Sequence, residues 1–285
     1  MPNLKEIRNR ITSVSSTMQI TSAMKMVSAA KFKKAQDSII AIRPYSNKLT
    51  ELIQSLTSAS SIDSENVLAI KRKIKKVLIV VISSNRGLCG AFNSNIIKKA
   101  QSLIDGSFKE KKINLITIGK KGTDYYKKKL IFSSHDEIYD NLSYENVAEI
   151  AQKIIDSYSD GSFDKVLLVY NQLKNVATQL IKVEGYLPLE KESSEEKLEN
   201  KDYIYEPSQE AVLNELIPKS LKIQLLKAIK DSVASEHGAR MTAMHKATDN
   251  ATELRDQLKL SYNKARQAAI TNEILEIVGG AEALK

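Results

Sequence analysis

Tryptophan is absent from the 285 residues, cysteine occurs once and histidine three times. The single Cys89 excludes an internal disulfide and any zinc site built on several thiolates. His237 and His245 stand eight apart on a helical stretch, about 80° apart round the axis, which is poor for holding one metal. Glu236-His237 lacks the second histidine of the zincin spacing. Both histidines are expected as partly exposed helix residues. Ten Gly and five Pro are few for a loop-rich β protein. No run of about 18 apolar residues occurs, so no membrane-spanning helix is expected. The start, MPNLKEIRNRI, has no apolar signal core, and secretion is not expected.

Phosphate chemistry is thinly represented. Arg86–Gly90 (RGLCG) follows an apolar run and precedes a helical stretch, where phosphate loops occur. It lacks both the Lys-Ser/Thr of a P-loop and the third glycine of a dinucleotide fingerprint. A tight turn, with glycines allowing close packing, is the simpler reading. Cys89 has no evident paired base and is expected as a buried structural thiol. No catalytic constellation, cofactor site or metal site is expected.

What is present is positive charge at the two ends. The net charge is +9. Residues 1–48 carry nine bases and two acids, net +7; residues 219–285 carry net +3; residues 49–218 carry net −1. Basic ends suit an acidic partner surface, whether protein, nucleic acid or lipid headgroups. A solvated helix face is the alternative.

Those ends also read as long helices. Between Pro2 and Pro44 lie 41 residues without Gly or Pro. Leu4, Ile7, Ile11, Val14 and Met18 recur at spacings of 3 and 4, a heptad seam, followed by Ala23, Met24, Val27, Ala30 and Phe32. From Lys219 to Val278 there is no Pro and only Gly238. Met241, Met244, Thr248, Ala251, Leu254, Leu258, Tyr262, Ala265 and Ala269 follow helical spacing. A continuous helix there runs roughly 90 Å, against a diameter of about 50 Å for a compact chain of this size. It must project, and the N-terminal helix is the expected cover, in an antiparallel coiled coil. At the C-terminal tip, Ile270, Ile274, Leu275, Ile277 and Val278 spread round the helix, and a helix apolar on most sides needs enclosure by another chain.

The middle reads as strands alternating with helices. VLIVVI (77–82), INLITIG (113–119), FDKVLLVYN (163–171) and ATQLIKVEGYL (177–187) are predicted strands. IIKKAQSLI, the stretch around Tyr125–Lys129, and Asn146–Tyr158 are predicted helices. An open, mostly parallel α/β sheet follows. The polar run Glu190–Asp202 is expected as a surface loop. The organisation expected is residues 1–60 as N-terminal helix, 61–207 as α/β domain and 208–285 as C-terminal helix.

Four segments carry a family likeness: ITSAMKMVSAAK (20–31), SSNRGLCGAFN (83–93), RMTAMHKATDNA (240–251) and SYNKARQAAITNEILEIVGGAEAL (261–284). In these, and in their order along the whole chain, the sequence resembles the gamma subunits of bacterial F-type ATP synthases, the central stalk of F1. It departs from the family at Asn85, where Asp is usual, and has no cysteine-paired insert like that of the redox-regulated chloroplast form.

The resemblance implies a fold of α/β plus a long antiparallel coiled coil, the terminal helices forming a shaft and a Rossmann-like sheet domain lying at its base. It implies a rotor turned by a proton- or sodium-driven membrane ring, ordering the catalytic cycle of an alpha–beta hexamer while binding no nucleotide itself. The implied partners are the alpha, beta and epsilon subunits and the membrane c-ring, with one copy per complex, at the cytoplasmic side of the cell membrane. By resemblance, Arg266 and Gln267 match positions that hydrogen-bond a beta-subunit loop. Arg86 matches a contact to an acidic beta-subunit lever, and Met24, Arg240, Thr271 and Glu273 match positions tied to coupling. Two other classes remain open from the residues alone. One is a basic coiled-coil nucleic-acid binder, disfavoured because Phe32 and Tyr45 are the only aromatics in residues 1–48. The other is a Rossmann-type enzyme.

Overall fold

The computed structural model describes residues 4–59, 67–70, 72–175, 178–189, 206 and 208–283. The polar run Glu190–Asp202 lies outside them. Among the described residues five strands and five α-helices follow in chain order: α1 (Leu4–Ala59), β1 (Lys76–Ile82), α2 (Phe92–Ser102), β2 (Lys112–Ile118), α3 (Lys120–Leu130), β3 (Ile131–Ser134), α4 (Tyr144–Ser159), β4 (Lys165–Leu173), β5 (Gln179–Leu187) and α5 (Gln209–Ala283). The chain separates into two compact units, one made of residues 1–29 with 240–285, the other of residues 30–239.

The second unit is built round one sheet in the order β3-β2-β1-β4-β5. Strands β1 to β4 run parallel and β5 pairs antiparallel with β4. β1 is central, and Val77 to Ile82 are all fully buried. Its side chains alternate between two cores. Leu78, Val80 and Ile82 face a cluster with Ile150, Ile154 and Tyr158 of α4 and Leu221, Leu225 and Ile229 of α5. Val77, Ile79 and Val81 face Phe92, Ile96 and Ala100 of α2, with Tyr126 of α3. A parallel strand covered on both faces must be apolar throughout, which is why VLIVVI shows no alternation. α4 starts at Ser143, whose hydroxyl accepts from the backbone N–H of Asn146 (3.3 Å), a side-chain N-cap.

Two expectations are corrected. β3 is a fourth parallel strand that the sequence did not announce. It is four residues long, half exposed, and joined to β2 across an irregular register between Leu115 and Ile116. Pro44 lies inside α1 and Pro218 inside α5. A proline within a helix loses one hydrogen bond and crowds the carbonyl four residues back, at about 3 kcal/mol. Burial on both sides offsets it: Ile39, Ser46 and Leu49 flank Pro44, and Leu213, Ile217 and Leu221 flank Pro218. α1 therefore has 56 residues and α5 has 75, the latter about 112 Å of helix.

The second correction concerns the buried face of α1. In the first unit, 4-7-11-14-18 continues as 21, 25 and 28, and these positions are Thr21, Lys25 and Ser28. Thr21 and Ser28 are buried, whereas Ala23, Val27 and Ala30 are exposed. Small polar residues here let the helices meet through hydrogen bonds. Thr248 donates to Thr21 (2.9 Å), and Lys25 Nζ lies 3.3 Å from His245 Nδ1. On α5 the stripe runs through Met244, Thr248, Ala251, Arg255 and Leu258. Arg255 takes the place expected for Leu254. Its guanidinium reaches the Met18 sulfur (3.4 Å), while Leu254 is exposed.

Gly119 joins β2 to α3 at φ +103, in the left-handed range that favours glycine. A Cβ there would run into the Ser83 carbonyl. Gly119→Ala should lower the stability of the full chain by on the order of 3 kcal/mol, read as a fall in the urea midpoint of far-UV dichroism. An unchanged midpoint would mean that the β1–β2 ends are not closely apposed.

Candidate partner interface

The parallel strands end together, and the loop after β1 (Ser83–Ala91) lies at that edge. Its conformation is fixed from within. Asn93 donates to the Ser84 hydroxyl (2.8 Å), which donates to the Arg86 carbonyl (2.7 Å). Asn93 also donates to the sulfur of Cys89 (3.2 Å), which is buried, as expected of a structural thiol. Asn85 bridges two neighbours, donating to the Asp136 carbonyl (2.8 Å) and accepting from the Lys120 N–H (2.9 Å). A carboxylate at this position could not donate, so the amide is the residue this arrangement needs. Ser83 accepts from the Gly122 N–H (2.8 Å), and Tyr139 donates to the Ser83 carbonyl (2.6 Å).

The turn Arg86-Gly87-Leu88 is held out on this frame. Leu88 has φ +60 and is 64% exposed, and Arg86 is exposed beside it. A leucine in the left-handed region carries strain that a flexible loop would relax. The hydroxyl and carboxamide groups that could have turned toward a phosphate are engaged inside the loop. The geometry presents a rigid, exposed knob rather than a nucleotide cradle.

A depression of about 500 Å³ lies further along the edge, lined by His135, Asp136, Glu137, Asn146, Glu149 and Lys153 among others. Burial pushes the His135 imidazole below its ordinary value, and the Lys153 ammonium adds to that, against Asp136. Charges of both signs line an open site, and the His135 Nε2 lies 3.1 Å from the Ser133 hydroxyl. Among the described residues no group of three acidic, His or Cys side chains could hold a metal ion.

The other exposed surface is on the first unit. Ile20 (60%), Met26 (66%) and Val27 (56%) face outward from α1. On α5, Leu260, Ile270, Ile274, Leu275, Ile277 and Val278 are each 48–72% exposed. The helices run antiparallel, since residues 21 and 18 meet 248 and 255. At that register Leu4, where α1 begins, stands level with about residue 266, so later residues of α5 have no cover from α1. Arg266, Gln267, Thr271 and Glu273 all lie exposed on this last stretch, and the Thr271 hydroxyl turns back to the Gln267 carbonyl (2.9 Å). Arg266 and Glu273, seven residues apart, share one face. Met24 is half-buried in the first unit, Arg240 is 8% exposed, and Arg86 sits on the knob of the second unit. Leu88, Ile20 and Met26 were not singled out from the sequence, whereas Asn85 was, as a departure from the family's usual Asp. The unusual φ of Leu88 needs coordinates to be seen.

The ATP synthase family model matches residues 3–284. The ATP synthase gamma chain of Flavobacterium psychrophilum is 61% identical over 286 residues, covering all of both chains. That of Christiangramia forsetii is 60% identical over 285 residues, covering all of this chain and 99% of that one. The chain belongs to the ATP synthase gamma-chain family. Among solved structures, the central stalk/c-ring part of the Tetrahymena thermophila mitochondrial ATP synthase is 27% identical, with TM-score 0.65, over 80% of this chain and 99% of that chain. A chain of the Euglena gracilis mitochondrial ATP synthase shares the fold with TM-score 0.69 at 20% identity, over 99% of this chain and 94% of that one. Among the described residues of this gamma-family chain no helix is long and apolar enough to cross a membrane.

Because His135 in the folded chain resists protonation, the unfolded chain binds that proton more readily. Its contribution to stability is present above about pH 6.5 and is lost as the pH falls through its lowered folded value. His135→Gln should flatten the stability-versus-pH curve below pH 6.5, read by urea denaturation at stepped pH. An identical curve would place His135 in ordinary solvent.

Proposed function

We propose that this gamma-family chain is the rotating central stalk of an F-type ATP synthase, carrying torque from an ion-driven membrane ring to a catalytic alpha–beta hexamer. Residues 1–60 and 208–285 supply the shaft, an antiparallel coiled coil, and residues 61–207 the sheet-bearing part. The chain has no catalytic residue of its own. One copy works with alpha, beta and epsilon subunits and a c-ring, as a peripheral protein on the cytoplasmic side of the cell membrane.

The observation that carries this reading is the last stretch of α5, apolar on most sides yet exposed. Such a surface is stable only inside another protein. Apolar contact is non-directional, so a collar can hold the tip without gripping it at one angle. Two packed helices resist bending and twisting better than one, and so can pass torque to the hexamer.

Arg266 and Gln267 hydrogen-bond a beta-subunit loop in this reading, and Arg86 on its rigid knob meets an acidic beta-subunit lever. Met24, Arg240, Thr271 and Glu273 tune coupling. Shifting one catalytic site from 1:99 to 99:1 takes about 5.5 kcal/mol, whereas an exposed ion pair supplies about 0–1 kcal/mol. Coupling therefore has to be spread over many contacts.

Ending the chain after Tyr262 should leave the sheet folded but abolish ion-driven ATP synthesis in the reassembled complex. Full synthesis by the shortened chain would remove the tip from the mechanism. Arg266→Ala and Gln267→Ala should each lower coupled ATP turnover by less than about tenfold, the weight of roughly one hydrogen bond. Complete loss from either change alone would contradict shared coupling.

A further inference from the structure

The opposite edge of the sheet, where the parallel strands begin, carries a dense group of lysines. Lys76 opens β1 and pairs in register with Lys112, which opens β2; Lys165 opens β4 in register with Val77. Lys73 and Lys75 lead into β1, and Lys109 and Lys111 lead into β2. Arg72 belongs to the same run, but its guanidinium is engaged with the carbonyl of Tyr158 (3.0 Å) and lies over that ring.

Lys73, Lys75, Lys76, Lys109, Lys111 and Lys112 are exposed, and among the described residues none forms an ion pair. Four acids share the edge. Asp164 accepts from the backbone N–H groups of Lys75 and Lys76 (2.8 Å each), and Asp105 accepts from Gln101. Glu110 and Asp160 are exposed. Among the described residues, eight bases against four acids leave a surplus of four positive charges on one side of one sheet.

Like charges paired across adjacent strands work against the fold. The carbonyl ends of α2 and α4 point to this edge and favour cations there, yet that effect is confined to the last turn and cannot account for six exposed lysines. An anionic surface outside the chain can.

The character of the patch selects the surface. It is a row of lysines on the rim of a sheet, with no groove and no free planar guanidinium for a fixed fork-like contact. Two exposed aliphatic residues stand beside it. Val67 (42%) and Ile70 (38%) belong to a segment tied to this edge, since Leu189 donates to the Leu68 carbonyl (3.1 Å) and Tyr158 to the Ile70 carbonyl (3.0 Å). Lysines with small apolar side chains between them suit a bilayer interface, where cations sit at the phosphates and methyl groups reach the acyl boundary. Nucleic acid would favour exposed aromatic platforms instead.

We propose that this lysine edge docks on the anionic phospholipid headgroups of a membrane. The proposal rests on the central-stalk reading above, which brings the chain to a membrane, and adds a direct contact with lipid.

Flotation of the full-length chain with phosphatidylglycerol/phosphatidylcholine vesicles tests it. Each lysine near an anionic surface contributes roughly fivefold to partitioning. Binding should appear with anionic vesicles, be absent with pure phosphatidylcholine, and disappear in high salt. Replacing Lys73, Lys75, Lys76, Lys111 and Lys112 together by Gln should weaken it by at least about a hundredfold. Replacing Lys31, Lys33 and Lys34 of α1 by Gln should leave it unchanged. Equal binding by the five-lysine variant, or loss only in the α1 variant, would overturn the proposal. So would binding confined to duplex DNA or to vesicles containing a c-ring. ATPase activity of each variant assembled with alpha and beta chains tests the stalk reading separately. Assembly without vesicle binding would sink the lipid contact alone, and vesicle binding without assembly would sink the stalk.

Discussion

A helix of 75 residues cannot hide its own apolar surface. Where α5 lies beside α1 or the sheet, its apolar side chains are covered: Leu225 and Ile229 in one unit, Met244 and Ala251 in the other. Beyond the start of α1 no such cover exists among the described residues, and Ile270, Ile274, Leu275, Ile277 and Val278 remain exposed. The central-stalk reading follows from that imbalance. A monomeric enzyme would have shed this surface or folded it away; a part of a larger machine leaves it for its neighbours.

The two units hold themselves together by different means. The second has a sheet packed on both faces, with Val77 to Ile82 fully buried, and a loop frame of short hydrogen bonds round Ser83, Asn85 and Asn93. That is a rigid base for presenting Arg86 and Leu88. The first relies on a narrow stripe with Thr21, Lys25, Ser28, Thr248 and Arg255 among its members. A seam containing polar residues gives up apolar burial but gains directional contacts that fix which residues face each other. A shaft that must keep one twist under load benefits more from a fixed register than from added stability.

Asp231 shows the same balance within the second unit. It is fully buried, pairs with Arg43 at 3.3 Å, and leaves one carboxylate oxygen without a hydrogen-bond partner. Burial pushes its pKa above the usual carboxylate range, against the pull of Arg43. Such a pair adds little stability, but it favours one pairing of α1 with α5 over shifted ones.

Much of this was legible before any coordinates. The run VLIVVI had to be a strand buried on both faces. The 3-4 spacing from Leu4 to Met18 had to be a helix seam. The single Cys89 ruled out an internal disulfide and a zinc site built on several thiolates, and the four family-like segments pointed to the rotor. Less legible were the places where chemistry and position part company. Ile131–Ser134 is too short and too exposed to show a period. Pro44 and Pro218 mark helix ends in most sequences, yet here flanking burial outweighs them. Ala23 and Val27 are apolar but face outward, while Thr21 and Ser28 are polar and face inward. The sequence by itself determined the helical period and the central strand, because these depend on residue type and spacing along one chain. Only the tertiary structure decided which neighbour of each pair turns inward, because one residue rotates a helix position by about 100° and the second helix alone selects the side it covers.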